Sequence, residues 1–332
     1  MSEKLAIVIL NWNGKSWLEK FLPSVVTYSE NAEIYVIDNF SDDDSVNFLK
    51  TEFPIVKIVI NDKNYGFAGG YNEGLKKIDA EYYCLLNSDV EVTENWIEPI
   101  LNLFKKNPEI AAIQPKILSQ SRKNYFEFAG AAGGLIDNLG YPYCRGRIFD
   151  DVEEDKGQYD DQVEIFWASG CCLFIRSKDF RDQNGFDERF FAHQEEIDLC
   201  WRLINSGRKI YYSGQSKVYH VGGGTLNKQS PQKTFLNIRN NLSMMLKNLP
   251  FPNVIWVLFF RMVLDGAAAF YFAYKNGLSH LWAVLRGHFG FYAQVPGTLK
   301  LRQKNQIKKY YQTEWLIFKH FLGSKKAYSM KK

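Results

Sequence analysis

The feature that most constrains this chain is an alternation of short uncharged strand patterns with amphipathic helix patterns, running from Leu5 to Leu118. Each early strand pattern ends in a cluster of polar side chains. LAIVIL (Leu5–Leu10) runs into Asn11-Trp12-Asn13-Gly14, and Ile34–Ile37 into Asp38–Ser45. Val56–Ile60 runs into Asn61-Asp62-Lys63-Asn64, and Tyr82–Leu86 into Asn87-Ser88-Asp89-Val90-Glu91. After the first strand Trp17, Leu18, Phe21, Leu22, Val25 and Val26 recur at helical spacing. After the fourth, Thr93 is placed to cap a helix with Trp96, Ile97, Ile100, Leu101 and Phe104 in one stripe. This alternation predicts an α/β fold, a Rossmann-like, mostly parallel, doubly wound sheet with flanking helices. Ligands of such sheets bind beyond the carboxyl ends of the strands, so the polar ends are expected to share one cleft.

Within that cleft Asn87, Asp89 and Glu91 occupy alternate positions of an extended chain and can face one ligand. Oxygen-only donors suit hard cations such as Mg²⁺ or Mn²⁺, which share phosphate oxygens with a substrate. An Asx turn with a solvated Glu is the alternative, and the segment alone leaves both open. Tyr65–Gly74 is a Gly-rich entry to a helix carrying Leu75 and Ile78. Residues 111–118 read as a further strand, Ser119–Gln162 as loop with an acidic run at Asp150–Asp155, and Phe166–Ile175 as a strand with Gly170 at a close approach. Ile197, Cys200, Trp201 and Ile204 then mark a helix that Gly207 stops. Glu195 and Glu196 fall in its first turn, where the helix dipole favours anions. The competing account is helix-start stabilisation with an Asp198–Arg202 pair. Strands at Lys209–Tyr212 and Lys217–His220 follow, the second ending in a histidine beside Gly222-Gly223-Gly224.

Composition limits the partners. Of 332 residues 46% are hydrophobic, ample for a core. Five cysteines without CxxC spacing fit reduced thiols in a cytoplasm better than a disulfide framework or a zinc site, and the N-terminus shows no apolar leader pattern. Residues 300–332 hold ten Lys/Arg and one acidic residue, Glu314, which leaves 31 basic and 36 acidic residues before them. An acidic body argues against wrapping nucleic acid, and the basic tail calls for an anionic partner of its own.

Five separated motifs resemble the inverting family 2 glycosyltransferases of GT-A fold, especially the rhamnosyltransferase-like branch. They are VIDNFSDDDS (Val36–Ser45), NYGFAGGYNEG (Asn64–Gly74), LLNSDVE (Leu85–Glu91), GFDERFFAHQEEIDLCWR (Gly185–Arg202) and VYHVGGGT (Val218–Thr225), with IRNNLSMMLKN (Ile238–Asn248) similar to the helix after that branch's catalytic core. The resemblance implies that Asp38 meets the nucleotide base, with Asn11, Ser41 and Asp43 around base and ribose. Asn64, Gly66 and Asn72 would pack below the nucleotide. Asp89 matches the metal-binding Asp of the DxD motif, with Asn87 in the first acidic place, Glu91 assisting and His220 completing the site. Glu196 stands where the family has its catalytic base and Glu195 is its near rival, with Gly170 and Asp198 on the acceptor side. The implied donor is a dTDP- or UDP-sugar, rhamnose among the candidates, and the implied acceptor a glycan or lipid-linked glycan of cell-surface polysaccharide synthesis. A nucleotidyltransferase is the rival enzyme, disfavoured because the first strand turn, NWNGKSW, lacks a glycine run. A non-catalytic nucleotide-sugar-binding or scaffold protein is supported only by Asn87 and Glu196 standing in for acids of the usual type.

The chain divides by pattern into a catalytic region, 1–230, and a helical extension, 231–332. Val254–Phe260 and Ala267–Tyr274 are intensely apolar but are interrupted by Arg261 and Asp265, which are spaced to pair on one face. That pattern predicts an amphipathic hairpin at an interface rather than a membrane span. Tyr311, Trp315, Phe318 and Leu322 predict a basic, aromatic helix for an anionic membrane surface at the inner face of the cell membrane, or else a homodimer interface.

Overall fold

The computed structural model describes residues 4–222 and 230–322. Its first third follows the sequence pattern closely. Strands β1 (Leu5–Asn11), β2 (Glu33–Asp38), β3 (Lys57–Ile60) and β4 (Tyr82–Asn87) alternate with helices α1 (Lys15–Thr27), α2 (Ser45–Glu52) and α3 (Gly66–Leu75). They are joined in parallel in the order β3-β2-β1-β4. The register places Asn11 opposite Asp38, and Leu10 opposite Asn87, so three polar strand ends lie level. Beyond them come β5 (Val90–Val92), α4 (Glu98–Lys106) and β6 (Ile110–Ser119). Thr93 does not cap α4. Its hydroxyl donates to the Lys217 carbonyl, and the helix begins five residues later at Glu98.

From Ser119 the expectation of a loop fails. Four very short strands, β7 (Gly134–Ile136), β8 (Pro142–Cys144), β9 (Arg147–Ile148) and β10 (Asp151–Val152), form a second antiparallel sheet. Runs of two or three residues carry no readable alternation, which is why the pattern looked irregular. The acidic run is spent on the protein itself: buried Lys116 pairs with Asp155 at 2.9 Å and with Asp160, and Arg145 pairs with Asp161 at 2.7 Å.

Strand β11 (Gln162–Ile165) is followed by an arch. The expected strand from Phe166 begins only at β12 (Cys172–Arg176), because Trp167–Ser169 leave the sheet. The Trp167 carbonyl accepts from Gly134, and the Ser169 amide donates to the Gln114 side chain at 2.8 Å. Helices α5 (Ser177–Asp182) and α6 (Glu195–Asn205) lead to β13 (Lys209–His220), one long strand with register shifts where two strands were expected. β12 is antiparallel to both β4 and β6, whereas β13 runs parallel to β6, so the main sheet is mixed beyond β4. Apolar layers cover both of its faces, with Trp96 sealed on one side and Trp201 on the other.

The last third is helical. α7 (Pro231–Asn248) lies against α6, while α8 (Asn253–Asn276) and α9 (Leu278–Lys300) form a hairpin packed on α7. Arg261 and Asp265 do pair, at 3.3 Å, and both are buried toward the body, with the Arg261 guanidinium 3.5 Å from the Tyr141 ring centroid. The expected tail helix is shorter than the stripe suggested. Residues 301–315 form an irregular strap, and only α10 (Leu316–Leu322) is helical. The strap is tied down where the Gln312 amide meets the Ile136 carbonyl, and the Tyr310 hydroxyl that of Asn138.

Candidate active site

The level strand ends build a wall of interlocked amides and carboxylates. Asp38, 2% exposed, accepts from the Asn11 side chain at 3.1 Å and from the Ser41 amide at 2.9 Å. Asn11 also reaches the Ser41 hydroxyl, and Asp43 accepts from the amides of Lys15 and Ser45. These four expected nucleotide-site residues therefore meet at the ends of β1 and β2. Both Asp38 oxygens are engaged in shaping the turn. Asn64 accepts from Gly66 at 2.8 Å and from Asn39, a buried residue the sequence reading passed over. Asn39 also donates to the Gly66 carbonyl and accepts from Asn61, pinning the Gly-rich entry to α3. Asn72 faces away from the strand ends. It clasps Phe186 through both backbone groups, at 2.9 Å each, and reaches Glu188.

The second cluster forms because β13 pairs with β5, His220 opposite Val90, which sets the imidazole beside Asp89. Nε2 of His220 is 3.1 Å from Asp89, and Nδ1 is 3.3 Å from Glu127, all three residues being buried. Burial pushes the Asp89 carboxyl up, but the hydrogen bond and charge of His220 outweigh it and hold Asp89 below its ordinary value. Burial likewise opposes the imidazolium, yet the two carboxylates raise His220 to about 10. Glu91 does not join this cluster. It turns to Lys123 at 2.9 Å and to Gln120. Glu127 takes its place and was missed, since it lies in the stretch read as loop. Its one sequence signal is an acid among aromatics, Tyr125-Phe126-Glu127-Phe128. Gly222, at φ 73°, closes over this group, where a Cβ would stand 2.4 Å from Glu127. Gly223, Gly224 and Thr225 lie outside the described residues.

The third cluster opens α6. Glu195 is buried and Glu196 half-buried, and each has one carboxylate oxygen without a hydrogen-bond partner. Burial lifts both carboxyls above the ordinary range, Glu196 to about 7, with repulsion from Glu196 adding to the shift at Glu195. Backbone N–H groups of Ile197, Gly170 and Gln194 face Glu196 and oppose this lift without cancelling it. Gly170 thus lies against Glu196, and its neighbour Cys171 accepts from the Asn87 amide at 2.9 Å, so one short arch links the β4 end to α6. Asp198 does not face an acceptor. It is wholly buried, paired with Arg202 and Lys247 at 2.8 Å each and accepting from Asn248.

A charged, buried Asp–His pair and a proton-holding glutamate thus flank one arch at the carboxyl edge of a mixed α/β sheet. The architecture is of the GT-A type: it superposes on S. aureus TarS residues 1–349, solved with UDP-GlcNAc, at a TM-score of 0.55 and 13% identity, covering 90% of this chain and 83% of that one. It also superposes on the Pyrobaculum calidifontis mannosyltransferase PcManGT, solved with GDP-Man and Mn²⁺, at 0.53 and 10% identity, covering 89% and 76%. The family described as glycosyl transferase family 2 matches residues 6–182, and this chain belongs to it; it is a glycosyltransferase. Among characterised relatives, the N-acetylglucosaminyl-diphospho-decaprenol L-rhamnosyltransferase of Mycobacterium tuberculosis is 24% identical over 236 residues, 66% of this chain and 76% of the relative.

Proposed function

We propose that this glycosyltransferase inverts: it moves a sugar from a nucleoside diphosphate to a hydroxyl of a glycan or lipid-linked glycan acceptor. The observation that carries the reading is the placement of two differently held carboxyls about the Gly170–Cys171 arch: Asp89 paired with the His220 imidazole at 3.1 Å, and Glu196 with one buried oxygen left without a partner. A carboxyl held ionised suits a cation, and one poised near neutrality suits a general base. Glu196 takes the proton from the acceptor hydroxyl as that oxygen attacks the anomeric carbon, and the bond from that carbon to the diphosphate oxygen breaks. The unpartnered oxygen of Glu196 is free to receive that proton. Glu195, more buried and beside a second carboxyl, stays protonated and leaves its neighbour as the base.

Asp89 offers an oxygen to a cation, whereas the His220 imidazole, protonated between Asp89 and Glu127, offers its Nε2 only by giving up a proton. Among the described residues no three acidic, His or Cys groups are placed to hold a metal by themselves. That donor set fits Mg²⁺ or Mn²⁺ held jointly with substrate phosphate oxygens, the usual arrangement for Mg²⁺. When bound, such a cation offsets charge on the departing diphosphate. Asn11, Ser41 and Asp43 are the groups we assign to the base and ribose side, with Asp38 shaping that wall. The M. tuberculosis relative supports L-rhamnose as the sugar and a diphospho-polyprenol glycan as the acceptor class.

A lipid-linked acceptor requires a membrane face, and the α8–α9 hairpin supplies one. Its charged pair turns inward, while Trp256, Phe259, Phe270, Trp282 and Phe289 are all more than half exposed. We assign this aromatic face, with the basic tail, to an anionic bilayer surface on the cytoplasmic side. The direct test is release of nucleoside diphosphate from dTDP-rhamnose and UDP-GlcNAc with Mn²⁺ and a diphospho-polyprenol acceptor. Release that depends on donor and acceptor supports the reading, and none from any donor overturns it.

A further inference from the structure

The loop that delivers Glu195 and Glu196 is unusual in its backbone. Phe191, His193 and Gln194 all have positive φ, at 64°, 70° and 75°. Residues with side chains occupy that region only where their surroundings over-determine it, and such positions concentrate where geometry matters for function. The surroundings here come from α7, at the start of the helical extension. Asn240 is fully buried, and its amide nitrogen lies 3.0 Å from the Phe190 carbonyl, 2.9 Å from that of Ala192 and 2.8 Å from that of His193. Arg239 donates alongside it to the carbonyls of Arg189 and Phe190.

The loop so held has two outputs. The Phe191 carbonyl, between two of the clamped residues, accepts the amides of Phe67 and Ala68 at 2.8 and 3.2 Å, which are among the first N–H groups of α3. A helix start normally takes such acceptors from its own cap. This one borrows a carbonyl from the loop, and Gly66 has no Cβ because the Phe191 ring fills that space. On the other side, the Gln194 carbonyl accepts from Asp198 and begins α6, whose first turn carries Glu196. One backbone segment therefore fixes both the Gly-rich donor-side helix and the acidic start of α6.

We propose that Asn240 is a positioning residue: by holding the carbonyls of Phe190, Ala192 and His193 it sets the placement of Glu196 relative to the start of α3. The proposal rests on Glu196 being the base. Asn240→Asp is nearly isosteric but presents a carboxylate to three carbonyls and cannot donate both hydrogens. A displacement on the order of 1 Å at a reacting group costs roughly 10²-fold in rate. Three readouts test it on the full chain. The folded Asn240→Asp variant should lose about 10²-fold in kcat. In a Glu196→Gln background the same change should cost almost nothing further, because the two residues act as one unit. Independently of activity, amide exchange at Phe67 and Ala68 should quicken about 10-fold or more while β4 amides stay unchanged, as local opening predicts.

An unchanged kcat, a loss that adds in full to that of Glu196→Gln, or unmoved Phe67 and Ala68 amides would each overturn the proposal. If Glu196→Gln alone turns over like the parent, the base assignment has failed, and the exchange readout still decides whether Asn240 sets the loop. Should Asn240→Asp not fold, Arg239→Gln, which removes the half-buried neighbouring donor, is read in the same three ways.

Discussion

At the scale of single residues, the two carboxyl centres make separable predictions. Glu196→Gln should lower kcat by about 10²–10⁴ while donor binding survives. Glu195→Gln should cost much less, and the reverse order would exchange their roles. Because Glu196 must be ionised to accept a proton and its value lies near 7, kcat/KM should rise with pH through neutrality. The sign of the stability effect is opposite. The folded value is raised above the unfolded one, so the folded chain holds the extra proton. That contribution is full below about pH 4.5 and is lost as pH rises through about 7. Glu196→Gln should therefore melt higher than the parent at pH 8 and lose that advantage at pH 5, as thermal melts at the two pH values would show. At the other centre, Asp89→Asn should abolish transfer with the fold intact, and His220→Ala should act more mildly. Glu127→Gln should weaken Mn²⁺ binding in the presence of nucleoside diphosphate by about 10- to 100-fold, the usual cost of removing a group that orients a metal-binding imidazole. Near-parental turnover by Asp89→Asn at saturating donor would remove Asp89 from the machinery.

At the scale of elements, legibility tracked the length of each pattern. β1, β2 and β4 carry uninterrupted apolar runs of six, four and five residues, and the polar ends that follow are Asn11, Asp38 and Asn87. The two- and three-residue strands β7–β10 gave no period to read, and Glu127 was hidden beside them. Asp198 was misjudged for a different reason. Its i+4 partner Arg202 was visible, but Lys247, arriving from 49 residues downstream, was not, and a charge buried by a distant helix looks from sequence like one facing a ligand. That network is itself testable. Lys247 is 2% exposed and bridges Asp187 at 2.7 Å and Asp198 at 2.8 Å. Removing one partner of a buried pair typically costs about 3–5 kcal/mol. Lys247→Met should approach that loss in urea unfolding, less whatever is retained by Arg189, which also pairs with Asp187, and by Arg202. A change under about 0.5 kcal/mol, as at an ordinary surface site, would show the bridges to be incidental.

At the scale of the whole molecule, the helical extension packs on the catalytic core and leaves its own aromatic face uncovered. α8 is long and apolar enough by length and composition to cross a bilayer, yet its buried Arg261–Asp265 pair belongs to the interface with the body. The protein should therefore lie on a membrane. Binding to anionic liposomes should fall about 10-fold or more in a Trp256→Ser/Phe289→Ser variant, since each exposed aromatic offers roughly 1.5–3 kcal/mol of burial. It should also fall with salt, because each nearby Lys or Arg contributes about 1 kcal/mol to anionic lipid binding. Equal binding to neutral and anionic vesicles would remove the charge component, and none to either would leave the face for another protein. Cutting the chain after Val295 is a poor test, since the strap at 301–315 is fastened to Ile136 and Asn138.

The Lys247–Asp187 bridge joins residues 60 positions apart, which bears on the order in which a ribosome releases this chain. At roughly 5–20 residues per second, Asp187 and Asp198, each with a nearby arginine, wait on the order of 3–12 seconds for the ammonium that bridges them. During that interval the sheet can assemble, but the loop before α6 lacks Asn240 and the lysine beyond it. A nascent chain halted before α7 should therefore bind a nucleoside diphosphate poorly and transfer nothing. Competence would arrive late in translation, after α7 has emerged.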